Sequence, residues 1–289
     1  MIEHNKDNLI EKEEKLNQYN GFDRIVSSID KVKEIKDSPE NEVCFNTGFP
    51  KLDELVGGLE GGELIALTGK YKSGKSSFSI SLTRNVLKQG YHVLWFQYEL
   101  NHRQFFRNFG GIVPLFYLPN EITNKNLNWI EERIHEAILK YDVKLVIIDN
   151  IHFLIDYEKK ENVTTKIEEI VRRLKRIAID FNIVILVMSH ARRLIKGEIE
   201  DEDMFKGSSA LAAESDKSWV ISRIRDDNGE FGTKAQLKVC LDRKTGSMSK
   251  VINLHFDPEK KVFYEEEILI PEENFNKSKE DLAAELFNF

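Results

Sequence analysis

Residues 69–76 read Gly-Lys-Tyr-Lys-Ser-Gly-Lys-Ser, a complete match to the pattern G-x-x-x-x-G-K-[S/T] of a phosphate-binding P-loop. An apolar run at 63–68 predicts a buried strand before the loop, and apolar residues at helical spacing over 77–88 predict a helix that ends before Gly90. A strand, a loop and a helix in this order are the setting that the pattern requires. The sequence therefore predicts a nucleoside triphosphate site, because loop N–H groups and the positive helix end bind phosphate oxygens.

The P-loop pattern also predicts a role for single side chains. Lys75 is expected to reach the β- and γ-phosphates, and the Ser76 hydroxyl is expected to bind Mg²⁺. The other predicted nucleotide contacts of the loop are Gly69, Lys72, Ser73, Gly74 and Ser77. A glycine-rich loop without a ligand is the alternative, and the flanking strand and helix argue against it.

Three later apolar runs end in polar residues that belong beside the P-loop, because ligands of open α/β sheets lie at the carboxyl ends of strands. Asp149 ends the run 144–149 and is predicted to hold Mg²⁺ or its waters. Glu99 follows the run 92–98 and is predicted to orient or deprotonate the attacking water. His190 ends the third run and is predicted to sense the γ-phosphate. For each of them, a solvated or capping role at a strand end is the alternative.

The alternation of apolar runs along the chain predicts an α/β fold with a mainly parallel central sheet flanked by helices. The predicted parallel strands are 63–68, 92–98, 144–149, 183–189 and 217–223, with helices from 127 and from 163. Three alternating runs at 236–241, 251–256 and 261–265 predict antiparallel strands added at the C-terminal end.

Three segments are predicted along the chain: an extension at 1–42, a motor domain at 43–270 and an acidic tail at 271–289. Apolar residues from Phe22 to Ile35 predict an amphipathic helix that packs either on its own domain or on a neighbouring subunit. The tail ends in 281–289, where a short apolar face predicts either capping of its own domain or docking on a partner.

The charge distribution leaves a nucleic-acid site open. Of the net charge of −7, residues 1–42 carry −4 and residues 265–289 carry −6, which leaves +3 on residues 43–264. No apolar run is long enough for a membrane span, and Cys44 and Cys240 lack metal-ligand spacing. The expectation is a cytoplasmic protein with reduced thiols.

The motifs occur in an order that resembles the RecA-like motor domain of the DnaB and Twinkle type of ring-shaped replicative helicases. The resemblance covers roughly residues 45–265. The motifs that carry it are Thr47-Gly-Phe-Pro-Lys-Leu-Asp53, Gly57-Gly58, the P-loop, Glu99, Asp149, Ser189-His190, Gly207-Ser-Ser-Ala-Leu-Ala-Ala-Glu-Ser-Asp216 and Arg243-Lys-Thr-Gly246.

This resemblance implies a RecA-like fold and a ring, expected to be a hexamer, that hydrolyses ATP with Mg²⁺ and translocates on single-stranded DNA. It implies that Arg243 is an arginine finger inserted into a neighbouring subunit's site. It also implies DNA contacts at Lys206, Gly207 and Ser209, and the basic side chain of Arg193, which flanks the acidic stretch 197–203, is predicted to contact DNA as well. The alternatives are a recombination or annealing ATPase similar to RadA, a KaiC-like ATPase, and a regulatory ATP-binding switch without a DNA role.

Overall fold

The computed structural model describes residues 12, 15–21, 24–37, 43–122, 124, 126–155, 163–190, 209–225 and 229–265. The chain divides into two units, residues 1–42 and residues 43–289. The expected separate tail, 271–289, lies outside the described residues, so that boundary stays a prediction.

The helix predicted between Phe22 and Ile35 is shorter than its apolar stripe indicates. It spans Ser28–Asp37, whereas the prediction began at Phe22, and residues 24–27 are not helical. Ser27 explains the late start, because its hydroxyl accepts a hydrogen bond of 3.1 Å from the Asp30 N–H and so caps the first turn. The predicted end before Pro39 is confirmed. The apolar face of this helix is exposed, with Ile29 at 67%.

The second unit is built on an eight-stranded sheet. Two short strands, β1 (Cys44–Phe45) and β2 (Leu59–Glu60), pair separately from it. The strands of the large sheet, β3 to β10 in chain order, are Leu64–Gly69, His92–Gln97, Val143–Asp149, Val184–His190, Lys217–Arg225, Phe231–Asp242, Lys250–Asp257 and Val262–Glu265.

The large sheet combines a parallel and an antiparallel part. Its strand order is β10-β9-β8-β7-β3-β6-β5-β4. Strands β3 to β7 run parallel, and β8, β9 and β10 continue the sheet as antiparallel neighbours. The predicted mainly parallel sheet with antiparallel additions is confirmed.

Helices cover both faces of the sheet, as its continuous apolar strands require. One face carries Pro50–Val56, Lys75–Lys88 and His102–Arg107, and the other carries Leu127–Tyr141 and Val163–Asp180. A 3₁₀ turn, Ile151–Leu154, and a short helix, Ser209–Glu214, also belong to the second unit. The helix Val163–Asp180 buries Ile167, Ile170, Val171, Leu174, Ile177 and Ala178, one apolar stripe at helical spacing.

Strand β4 lies at one edge of the sheet, and that edge is covered. The Trp95 N–H donates to the Tyr117 carbonyl, and the Tyr117 N–H donates to the Val93 carbonyl, each at 2.9 Å. Tyr117 stacks on Tyr141 at the end of the helix Leu127–Tyr141, with ring centroids 4.0 Å apart. The segment around Tyr117 therefore takes up outward-facing backbone groups of the strand.

Two further expectations concern the membrane and the cysteines. Among the described residues, no helix combines the length and the apolar character that a membrane crossing needs. Cys44 and Cys240 are both free thiols.

Candidate functional site

The candidate site forms where the carboxyl ends of four parallel strands meet the P-loop. In the sheet register, Gly69 at the end of β3 lies beside His190 at the end of β6. Gln97 at the end of β4 lies beside Asp149 at the end of β5. This register explains why side chains that are far apart in the sequence come together at one edge.

The P-loop residues 70–74 connect β3 to the helix Lys75–Lys88 in a tight path that depends on glycine. Gly74 caps this helix at φ 100°, and a Cβ atom at this position would lie 2.8 Å from the Phe263 ring. A Cβ at Gly69 would lie 2.5 Å from the Ile221 carbonyl oxygen. The first N–H groups of the helix have no acceptor within the helix and point towards the loop, where phosphate oxygens can bind.

Lys75 lies between the backbone of the loop and the groups at the strand ends. Its ammonium donates to the Gly69 carbonyl at 3.0 Å and to the Lys70 carbonyl at 3.3 Å. It also lies 3.4 Å from Nδ1 of His190. Burial lowers the pKa of Lys75, and the carboxylates of Asp149 and Glu99 oppose that shift. A buried ammonium held mainly by carbonyls is ready to exchange them for phosphate oxygens.

Ser76 and Asp149 form an oxygen pair that fits a magnesium ion. The Ser76 hydroxyl donates to a carboxylate oxygen of Asp149 at 3.0 Å. Burial, and after it the charge of Glu99, raises the pKa of Asp149 to about 6, while Ser76 and Lys75 oppose the shift. A buried carboxylate near a second carboxylate favours a cation, and Mg²⁺ prefers a few protein oxygens together with phosphate oxygens and water. The residues therefore fit the ion that the loop pattern predicts.

Glu99 and His190 approach each other beside Lys75, and a third residue links them. The Glu99 carboxylate lies 3.7 Å from Nε2 of His190. The side-chain amide of Asn150 lies 3.2 Å from that carboxylate and 3.0 Å from that ring nitrogen. Burial and then the Lys75 charge lower the pKa of His190. The sequence analysis did not single out Asn150, although it directly follows Asp149.

These residues face an open cleft of about 440 Å³. Besides the P-loop segment 71–77, Glu99 and His190, the cleft is lined by three residues that the sequence analysis missed: Asn108, Arg223 and Phe231. The Arg223 guanidinium lies 4.8 Å from the centre of the Phe256 ring and donates to the Gly232 carbonyl at 2.5 Å. A fixed guanidinium and an aromatic ring are groups on which a nucleobase can stack.

Arg243 lies at the opposite end of the sheet from the P-loop of its own chain. Asp242 pairs with Lys217, which in turn pairs with Ile65 near the start of β3. At about 3.3 Å per residue, Ile65 is roughly 13 Å below Gly69, and Arg243 continues away from it. The Arg243 side chain donates to the Ser215 carbonyl at 3.0 Å and to the Ala213 carbonyl. It therefore does not reach the cleft of its own chain.

The predicted DNA contacts are mostly outside the described residues. Arg193, Lys206 and Gly207 belong to the segment 191–208, which the structure does not describe. Ser209 is the first residue of the helix Ser209–Glu214, and its side chain is not described. These four contacts stay predictions.

Comparison with known proteins gives a family match and several curated relatives. Residues 30–194 match the profile of the family described as AAA domain. A probable replicative DNA helicase of Guillardia theta is 25% identical over 248 residues, which are 73% of this chain and 40% of that protein. The DNA repair protein RadA of Campylobacter jejuni is 28% identical over 203 residues, 67% of this chain and 43% of that protein. The chain spans about half the length of the curated relatives it matches.

Two solved structures are similar in fold. One is described as an ATPase domain and aligns over 84% of this chain and all of its own, with a TM-score of 0.71 at 17% identity. The other is a DnaB-like replicative helicase, solved in a study of its interactions with primase. It aligns over 86% of this chain and 69% of its own, with a TM-score of 0.68 at 16% identity. The predicted RecA-like architecture is confirmed by these neighbours.

Proposed function

Since the chain belongs to the AAA domain family, we propose that it is a DnaB-like DNA helicase. In this proposal it forms a ring, expected to be a hexamer, that translocates on single-stranded DNA. ATP hydrolysis at the subunit interfaces drives the movement. The resemblance to the RecA-like motor domain of DnaB-type helicases supports the proposal, as do relatives named as replicative DNA helicases.

One observation supports the proposal: the groups proposed for hydrolysis gather at one end of the sheet, and the candidate arginine finger lies at the other end. At the cleft, His190 lies 3.4 Å from the Lys75 ammonium and 3.7 Å from the Glu99 carboxylate. Arg243 is directed to carbonyls at the far end of the same sheet. Because Arg243 does not reach the cleft of its own chain, a second copy would have to supply the arginine finger. Head-to-tail contacts between the copies of a ring bring the two together.

The proposed roles follow from the chemistry of each group. Lys75 and the N–H groups of Lys72, Ser73 and Gly74 bind the phosphates, and Glu99 orients the attacking water. Ser76 and Asp149 hold Mg²⁺, which neutralises charge on the β- and γ-phosphate oxygens when it is bound. The contacts expected of Gly69 and Ser77 belong to the same cradle. His190 donates to the γ-phosphate, and Arg243 of a neighbouring copy stabilises charge in the transition state.

The activity is tested with purified protein in two assays. A helicase is expected to show ATPase activity that single-stranded DNA stimulates, and to displace a strand from a forked duplex in the presence of ATP and Mg²⁺. Lys75→Ala serves as the inactive control. DNA-stimulated ATPase without strand displacement would support the RadA-like alternative, which the similarity to RadA favours. ATPase activity that DNA does not change would contradict the helicase and the RadA-like alternative. It would support the third alternative, a regulatory ATPase.

The role of Arg243 in trans is tested by mixing two inactive variants. Arg243→Ala retains an intact P-loop, and Lys75→Ala retains an intact finger, so co-assembly restores interfaces that have both. Activity is expected to reappear in mixtures, and native mass spectrometry with an ATP analogue is expected to give the subunit number. Co-assembled mixtures that remain inactive would contradict a finger in trans.

The proposal includes three further interactions. Single-stranded DNA is expected to contact Arg193, Lys206, Gly207 and Ser209, and the net +3 of residues 43–264 permits this. The exposed apolar face of Ser28–Asp37 is expected to pack on an adjacent subunit as a linker helix. The tail 271–289 is expected either to cap its own domain or to bind a replication partner. Salt titration of DNA affinity for Lys206→Ala tests the first of these.

A further inference from the structure

Asn150 connects the two groups that the proposed reaction needs beside the γ-phosphate. Its amide nitrogen lies 3.2 Å from Oε2 of Glu99 and 3.0 Å from Nε2 of His190. Asn150 is fully buried, and its neighbour in the chain is Asp149, the candidate magnesium ligand. One side chain thus reaches the proposed water-orienting group and the proposed sensor at the same time.

The orientation of the Asn150 amide is fixed by a backbone group. The His152 N–H donates to Oδ1 of Asn150 at 3.0 Å. A backbone N–H can only donate, so the atom that faces it must be the amide oxygen. The amide nitrogen therefore faces Glu99 and His190, and its two hydrogens are available to those two acceptors.

This orientation decides where the imidazole of His190 carries its proton. Nε2 lies 3.0 Å from the Asn150 amide nitrogen, which donates, so Nε2 acts as the acceptor. The Glu99 carboxylate is 3.7 Å from the same atom, which is too long for a competing hydrogen bond. A neutral imidazole has one N–H, so the proton belongs on Nδ1.

The Nδ1 atom of His190 then faces another donor. Lys75 Nζ lies 3.4 Å from it, and an ammonium has no acceptor, so Lys75 and Asn150 compete for the acceptor nitrogen of the ring. The Asn150 contact is shorter, at 3.0 Å, and therefore decides the tautomer. Two donors that face each other at this distance leave a position for an acceptor that both can reach. In the P-loop cleft, that acceptor is a phosphate oxygen.

We propose that Asn150 is a positioning residue that fixes His190 in the Nδ1–H tautomer and holds the Glu99 carboxylate in place. His190 and Lys75 then present two converging donors to the γ-phosphate, while Glu99 stays on the other side of the imidazole. The kinetic consequences rest on the proposed ATPase function. The tautomer assignment does not, because it follows from the contacts of the nucleotide-free chain.

The tautomer is measured directly on the full chain without nucleotide. Two-bond proton–nitrogen correlation spectra of ¹⁵N-labelled protein distinguish protonated from unprotonated ring nitrogens, and loss of the signals in His190→Gln assigns them. At a pH well above the pKa of His190, the wild type is expected to show a protonated Nδ1 and an unprotonated Nε2. A protonated Nε2 in the wild type would overturn the inference, and this reading needs no variant of Asn150.

Two substitutions test whether Asn150 is the cause. Asn150→Asp replaces the donor with an acceptor of the same shape, so the proton of His190 is expected to move to Nε2. Asn150→Leu removes the contacts at similar volume. We expect it to lower the ATPase kcat by about 10- to 100-fold, the usual effect of losing a group that orients a reacting one, with KM changed less than about threefold.

The matched control is Asn126→Asp. Asn126 caps the helix Leu127–Tyr141 by accepting from the Trp129 N–H at 2.8 Å, and an aspartate accepts equally well. It is expected to leave both the His190 signals and kcat unchanged. An unshifted tautomer in Asn150→Asp, or a wild-type kcat in Asn150→Leu, would contradict the role of Asn150. A wild type without ATPase activity would instead contradict the proposed function and leave the tautomer result standing.

Discussion

Lys217 is a fully buried lysine, and its replacement by methionine tests how the far end of the sheet is held together. Its ammonium forms an ion pair with Glu63 and lies 3.6 Å from the carboxylate of Asp242. Asp242 is completely buried, and its Oδ2 atom has no hydrogen-bond donor among the described residues. In Lys217→Met, this carboxylate remains buried and loses the cation beside it.

The expected loss of stability follows from that uncompensated charge. Removing one partner of a buried ion pair costs about 3 to 5 kcal/mol in free energy of unfolding. For a unit of roughly 150–250 residues, each kcal/mol shifts Tm by about 2 to 4 °C, so Tm is expected to fall by about 6 to 20 °C. Urea unfolding of the nucleotide-free protein measures the free energy, and a thermal scan measures Tm.

The control and the rescue variant separate charge from packing. Lys234→Met changes an exposed lysine on β8 and is expected to alter the free energy of unfolding by less than about 0.5 kcal/mol. In Lys217→Met with Asp242→Asn, one of the two carboxylates left without a cation is neutral and only Glu63 remains unpaired, so about half of the lost stability is expected to return. A Lys217→Met variant within about 1 kcal/mol of the wild type, or strictly additive effects in the double variant, would refute the reasoning.

Three further predictions concern the cleft and the tail. Lys75→Ala is expected to abolish ATP hydrolysis, because the β- and γ-phosphates lose their cation; residual turnover above background in a phosphate-release assay would contradict this. Glu99→Gln is expected to bind nucleotide normally and to hydrolyse it about a hundredfold more slowly. Hydrolysis at the wild-type rate would show that Glu99 has no catalytic role. Deleting residues 280–289 is expected to lower Tm if the tail caps its own domain, or to leave Tm unchanged and lose a partner in pull-downs if it docks. Unchanged Tm and partners would contradict both.

The P-loop side of the site could be predicted from the sequence because its signals are local. A strand, a loop and a helix carry the phosphate cradle, and the apolar runs before Glu99, Asp149 and His190 mark strands that end at the same edge. The predicted strand ends differ from the observed ones by at most one residue in this part of the sheet. Parallel pairing then brings those ends together without further information.

The rest of the site depends on pairings between distant segments. Phe231 reaches the cleft because β8 begins five residues before the predicted run 236–241 and pairs with β7 along its length. Lys217 looks like a solvent-facing residue in the sequence, yet its partner Glu63 is 154 residues away. A charged residue is buried only when such a partner is present, and single-sequence periodicity does not detect the partner.

The covered edge of β4 limits how copies of this chain can associate. An open edge strand offers its N–H and C=O groups to a strand of another molecule, which leads to uncontrolled aggregation. Here Tyr117 already uses the outward groups of Val93 and Trp95. Assembly on this side therefore has to proceed through side-chain surfaces with a defined geometry, since a second molecule cannot extend the sheet by adding a strand at these residues.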